Sequence, residues 1–200
     1  MAKYPDVTAG QTEAFINRIG GWNNFLRYIG GQGRIVFDTI LELVKPDVKV
    51  SAHDKFVVAD NFKKGNAGIY FIGDNFQKWF GTKVEEGVPS GTLSSRRLTE
   101  QSVDGPIKAE LGEGHETYLA WLFEKIVAQA DGREGELLTN GYANIFYVDG
   151  RVVSALWDDG VGWRVDAYLV TDPGAWNADY RVFSRNSVIE SSEALVSSQS

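Results

Sequence analysis

The clearest periodicity in the chain lies between Asn144 and Leu169. Asn144 to Val148 reads as a strand, and Asp149-Gly150 is a strong two-residue hairpin signal because a type I′ turn needs positive φ at both positions. On the return, Val153, Ala155 and Trp157 share one face. After the "DDGVG" turn, Trp163, Val165, Ala167 and Leu169 point one way while Arg164, Asp166 and Tyr168 point the other. A period of two predicts a half-buried antiparallel meander. "YRVFSR" (180–185) adds a fourth strand after the loop "TDPGAWNAD". Ahead of the meander the period changes. Leu119, Leu122, Phe123, Ile126, Val127 and Ala130 lie on one helical face, which predicts a helix over Glu116–Ala130 that ends at Asp131-Gly132.

The first third also reads as helical. Thr8 with Gln11 fits a capping box, and Phe15, Ile16 and Ile19 follow at helical spacing up to Gly20-Gly21. Trp22, Phe25, Leu26 and Ile29 form a second apolar stripe, broken by Gly30, Gly31 and Gly33. The apolar positions from Arg34 to Val44 predict a third helix, bounded at Lys45 by Pro46. Further on, "DKFVVAD" (54–60) and "AGIYFIG" (67–73) read as two strands of a hairpin. "DNFQKWF" reads as a short helix opened by Asp74 and ended by Gly81, and 82–92 as a loop. "LSSRRL" and "GPIKAEL" carry weaker strand signals. The Ser-rich segment 186–200 is expected to be disordered.

These elements predict a soluble α+β protein: helices packed on a mainly antiparallel sheet with a C-terminal β-meander. Residues 1–185 are expected to form a single domain, with 1–45 as its helical N-terminal part. Composition supports a packed core, since 43% of the 200 residues are hydrophobic and 12% aromatic. There is no cysteine, which removes disulfides, thiolate ligands and Cys nucleophiles. The net charge of −7 argues against general nucleic-acid binding. The opening residues lack a signal-peptide core, and no apolar run reaches the ~18 residues that span a bilayer, so no membrane association and a cytoplasmic setting are expected.

Candidate chemistry is sparse. The two histidines, His53 and His115, are far apart and lack metal-site spacing, so neither a metal nor a cofactor is expected. "GEGHET" places His115 between Glu113 and Glu116, an arrangement that would suit a general base, although a solvated helix start explains it more simply. Asp158 and Asp159 are paired carboxylates beside Trp157 and Trp163. One acid kept protonated and the other ionised is what glycoside hydrolysis requires. The same Asp-Asp-Gly also makes a good turn, and that reading outweighs the other. Trp157 and Trp163 are candidates for a binding platform, and more simply for a cross-strand pair in the core. No P-loop, G-x-G-x-x-G or G-x-S-x-G occurs.

"FIGDNFQKWFGTKVEE", "SVDGPIKAELG" and "LLTNGYANIFYV" resemble a family of uncharacterised conserved hypothetical proteins of candidate-phyla bacteria with reduced genomes, over roughly residues 55–185. That family has no assigned activity, so the resemblance transfers no catalytic residues. In layout alone, a helix followed by a short-stranded meander resembles the second half of papain-like peptidases, but the nucleophilic Cys is missing and no His begins the strand at Ala143. The function expected from the sequence is that of a non-catalytic binding or assembly protein, with a protein partner or a homo-oligomer. The alternatives are a carboxylate-dependent, glycosidase-like hydrolase and an inactive relic of a papain-like peptidase.

Overall fold

The computed structural model describes Thr12, Ile16, residues 21–31 and residues 39–185. The chain divides into two units, 1–39 and 40–200. In the first, Thr12 and Ile16 are helical, and the Gly21 N–H closes onto the Ile16 carbonyl at 2.8 Å. Helix α1 (Trp22–Ile29) follows the stripe read from the sequence. Its Trp22, Leu26 and Ile29 are each more than half exposed.

The second unit is built on a seven-stranded mixed sheet. Its strands are β1 (Leu41–Val50), β3 (Ile69–Ile72), β5 (Gly91–Leu98), β6 (Asn144–Val148), β7 (Arg151–Asp158), β8 (Gly162–Leu169) and β9 (Arg181–Arg185), in the order β1-β5-β9-β6-β7-β8-β3. Two strands, β2 (His53–Val57) and β4 (Val84–Val88), pair separately as an antiparallel ribbon. Four helices complete it: α2 (Val58–Asn61), α3 (Asp74–Phe80), α4 (Asp104–Leu111) and α5 (Leu119–Ala128).

The meander forms as its alternation predicts. Asp149 and Gly150 take φ of 48° and 68°, and β6, β7 and β8 pair in antiparallel register. The sheet is nonetheless mixed: β9 lies parallel to β6, and β3 parallel to β8. Nor is its outer face open to water. On one side, Phe146, Val153, Ala155, Trp163, Val165 and Phe183 pack against α5, whose Leu119, Leu122 and Ile126 are fully buried. On the other, Ile145, Tyr147, Val152 and Val182 pack against Ile107 and Leu111 of α4 and the loop carrying Trp176. All five residues of β6 are therefore buried, which fits the unbroken apolar run Ile145–Val148 better than alternation does.

Several local expectations give way to tertiary partners. In the third helix predicted over Arg34–Val44, positions 34–38 lie outside the described residues, and Leu41–Val44 open β1 instead. Ile40, Leu41, Leu43 and Val44 satisfy helical spacing, but β5 supplies a ladder from Leu41↔Leu98 to Val50↔Gly91. Pro46 is accommodated because β1 is an edge strand whose register shifts around Lys45, where a missing N–H costs little. The hairpin expected from 54–60 and 67–73 does not form, because β2 pairs with β4 and β3 with β8. The loop expected over 82–92 contains β4. "GPIKAEL" is part of helix α4, with Pro106 in the first turn, where its missing N–H would have no intrahelical partner anyway. The tail from 186 lies outside the described residues.

Candidate functional site

Two hollows flank the sheet, one mainly polar and one mainly aromatic, and they differ in how their charges are matched. The first, of about 340 Å³, lies at the start of α5 and is lined by Lys83, Glu85, Glu86, Glu116, Thr117, Tyr118, Asp149 and Arg185. The N-cap residue of α5, Tyr118, makes no side-chain cap. Glu85, buried on β4, supplies one from a distance: its two carboxylate oxygens accept the N–H groups of Leu119 at 3.0 Å and Ala120 at 2.9 Å. A carboxylate at this end of a helix also meets the positive end of the dipole. Lys83 stands 3.4 Å from Glu85 and pairs with Asp149. Glu116 accepts the Gly150 N–H at 2.9 Å, which holds the β6–β7 turn, and Thr117 donates to the Tyr147 carbonyl through its N–H at 2.7 Å and its hydroxyl at 3.2 Å. The Arg185 guanidinium lies over the Tyr118 ring at 5.5 Å.

The second hollow, about 210 Å³, lies on the opposite face and is lined by Asp104, Tyr168, Asp172, Gly174, Ala175 and Trp176. Asp104 opens α4 and is 2% exposed. Its Oδ1 accepts the Tyr147 hydroxyl at 2.8 Å and the Trp176 indole N–H at 2.9 Å. A backbone bridge fixes Trp176 to the approach of α4: Ser102 N–H to Trp176 carbonyl at 3.0 Å, and Trp176 N–H to Ser102 carbonyl at 2.8 Å. Tyr168 of β8 meets Trp176 edge to face, with centroids 5.5 Å apart. Asp172 accepts the Leu169 N–H at 3.2 Å, closing the turn after β8.

Burial raises the Asp104 carboxyl above its ordinary value. The bonds from Tyr147 and Trp176 and the charge of Lys108 pull it back, and the charge of Asp172 adds to the rise. Burial, together with Asp104, holds the Tyr147 phenol far above its usual range, so it stays a proton donor to the carboxylate. Among the described residues neither Asp104 nor Asp172 has an ion-pair partner. Lys108, one turn along α4, sits over the Tyr147 ring at 6.0 Å.

The residues singled out from the sequence are dispersed. Glu113 is exposed in the turn after α4. His115 binds the Gly112 carbonyl through Nδ1 at 2.6 Å and turns its ring edge to Tyr147, leaving a buried Nε2 without a partner. Since a carbonyl only accepts, Nδ1 carries the proton. Glu116 holds Gly150 at one end of β7. Asp158 accepts the Tyr70 hydroxyl at the other end, beside the exposed Asp159. Strand rise puts those ends roughly 25 Å apart, well beyond the separation a glycosidase pair requires. Trp157 and Trp163 do face one another across β7 and β8, at 5.4 Å and 71°. Trp163 is fully buried and donates to the Gln129 carbonyl, and the Trp157 ring is so close to Gly132 that an added Cβ would lie 2.2 Å from it. The pair belongs to the core, with no free platform at Trp163. Among the described residues, α5 and the meander pack through the same core.

Asp104, Asp172, Tyr168 and Trp176 were not legible as a site. They come from a helix start, a strand and a turn, and the only local hint was the "TDPGAW" loop, which reads as a turn. Among the described residues no group of three or more His, Asp or Glu side chains is placed to hold a metal ion, and no helix is long and apolar enough to cross a membrane.

Fold and site together define a strand-rich α+β protein whose most distinctive feature is a small aromatic hollow over a buried carboxylate. No protein-family model matches the chain, and neither a curated protein nor a solved structure matches it.

Proposed function

We propose that this is a cytoplasmic, non-catalytic binding protein that takes a small ligand in the hollow over Asp104. The observation that carries the reading is Asp104 itself: a carboxylate 2% exposed, without an ion-pair partner among the described residues, at the wall of a hollow lined by Tyr168 and Trp176. Such a group costs stability in the free protein, and a ligand that satisfies it recovers that cost. A small concave site with aromatic walls and a few fixed polar groups is the usual form of a ligand pocket. The test is a fragment screen followed by the indole N–H resonance of Trp176, assigned with Trp176→Phe. Saturable movement of that signal is expected, and a signal unmoved by every fragment would defeat the reading.

Asp172 on the wall of the same hollow favours a second reading, a carboxylate-dependent hydrolase with Asp104 as its acid. Turnover of 4-nitrophenyl glycosides that disappears in Asp104→Asn would establish it in place of the first. An assembly role would draw on α1, whose Trp22, Leu26 and Ile29 are exposed. Light scattering after size exclusion, comparing the parent with Trp22→Ser, tests that role.

A further inference from the structure

Resting on the binding reading, we propose that the hollow over Asp104 selects a small alkylammonium cation. Charge comes first. Two carboxylates, Asp104 and Asp172, line the hollow, and neither is in an ion pair among the described residues. The charge of Lys108 reaches Asp104, but Lys108 lies over the Tyr147 ring and forms no ion pair with the carboxylate among the described residues.

The walls decide which kind of cation. Tyr168 and Trp176 stand at 81° to each other, and both rings line the hollow. Aromatic faces attract organic cations, most of all when the cation is desolvated beside them. A bare divalent ion would instead ask for six or more oxygen ligands. Here Oδ1 of Asp104 already accepts two fixed donors, and of the two rings Tyr168 alone carries an oxygen, a single hydroxyl, far short of that number. Size narrows the choice further. About 210 Å³ lies below the ~300 Å³ at which drug-sized pockets begin, leaving room for a handful of heavy atoms and none for a sugar chain or a folded peptide.

The site is also preset. The Ser102–Trp176 bridge, the indole bond to Asp104 and the Tyr147 hydroxyl fix the floor and one wall before anything binds. Binding therefore does not have to order these groups, which favours a small ligand with few contacts of its own. Gly174 forms part of the rim, and the space around its Cβ position is open, so the entrance is not blocked by side chains there.

The experiment follows the Trp176 indole resonance of the full chain during titration with tetramethylammonium or n-butylammonium chloride, against sodium chloride at equal ionic strength. tert-Butanol and n-butanol serve as neutral counterparts of similar shape. Saturable shifts are expected with the ammonium salts. Asp104→Asn and Asp172→Asn should each weaken binding by at least about tenfold, as loss of a charge-assisted contact implies. The Asn amide oxygen at position 104 still accepts from Tyr147 and Trp176, and near-UV circular dichroism checks that the fold persists. Should Asp104→Asn fail that check, Asp172→Asn alone decides. Alcohols binding as tightly as the ammonium salts, or ammonium binding unchanged in the folded variants, would overturn the proposal while leaving a binding pocket. A Trp176 signal indifferent to all four probes would remove the ammonium proposal, and the broader binding reading would then rest on the fragment screen.

Discussion

The hollow at the start of α5 and the hollow over Asp104 both contain a buried carboxylate, yet they solve its burial in opposite ways. Glu85 spends both oxygens on the N–H groups of Leu119 and Ala120 and has Lys83 at 3.4 Å. Around it, Asp149, Glu116 and Arg185 are matched as well. Asp104 receives two neutral donors on one oxygen, and among the described residues it forms no ion pair. The first arrangement is what a structural carboxylate needs, because an anion at a helix N-terminus satisfies donors the helix cannot satisfy itself. The second leaves charge to be met from outside. Counting acids does not separate the two cases, whereas tracing each oxygen to its donor does.

Truncating the matched carboxylate should give the largest effect. Glu85→Ala leaves two buried N–H groups without acceptors and is expected to cost roughly 3 kcal/mol in urea denaturation. Glu85→Gln, which keeps one acceptor, should cost about half as much. A loss under about 1 kcal/mol for the alanine variant would mean that the cap is not structural.

Tyr147→Phe comes next. It removes a buried hydroxyl bonded to Asp104 and leaves that carboxylate with Trp176 as its side-chain donor, for an expected loss of about 2 kcal/mol.

Asp104→Asn is smaller and opposite in sign. A carboxyl raised in the fold contributes stability that is present below its unfolded value of about 3.8 and lost as pH rises through the folded value. At pH 7 the wild type carries that loss and the amide does not. The variant should therefore match or exceed wild-type stability at pH 7, with the difference shrinking towards pH 4. Denaturation at both pH values checks this. A variant destabilised at pH 7 by as much as Glu85→Ala would erase the distinction between the two hollows.

The smallest effect belongs to Tyr70→Phe. It breaks a partly exposed contact with Asp158 and should shift stability by no more than about 0.5 kcal/mol. That result would mark Asp158 as a turn residue.

What the sequence showed, and what it hid, follows the range of the interactions. The Asp149-Gly150 turn, the Trp157–Trp163 pair and the buried face of α5 at Leu119, Leu122 and Ile126 depend on residues within a few positions or one strand of each other, and periodicity displays them. The start of β1 reads as helix because Leu41, Leu43 and Val44 fit a helical face and Leu41 and Leu43 fit alternation as well, and the partner that decides lies some fifty residues away in β5. Helix α4 was hidden by Gly105-Pro106, which disfavour a helix interior and cost little in a first turn. The Asp104 hollow had no local signature at all. Its residues meet only because α4 and the loop after β8 fold over the same face of the sheet, and neither coverage is written in the alternation of β6 to β8.

The uncompensated burial of Asp104 is tested most directly by following its side-chain carboxyl carbon by NMR from pH 2 to pH 8. A midpoint clearly above 3.8 is expected, because burial outweighs the bonds from Tyr147 and Trp176. A midpoint at or below 3.8 would show that the carboxylate is already satisfied in the free protein, and the case for a ligand in this hollow would lose its foundation.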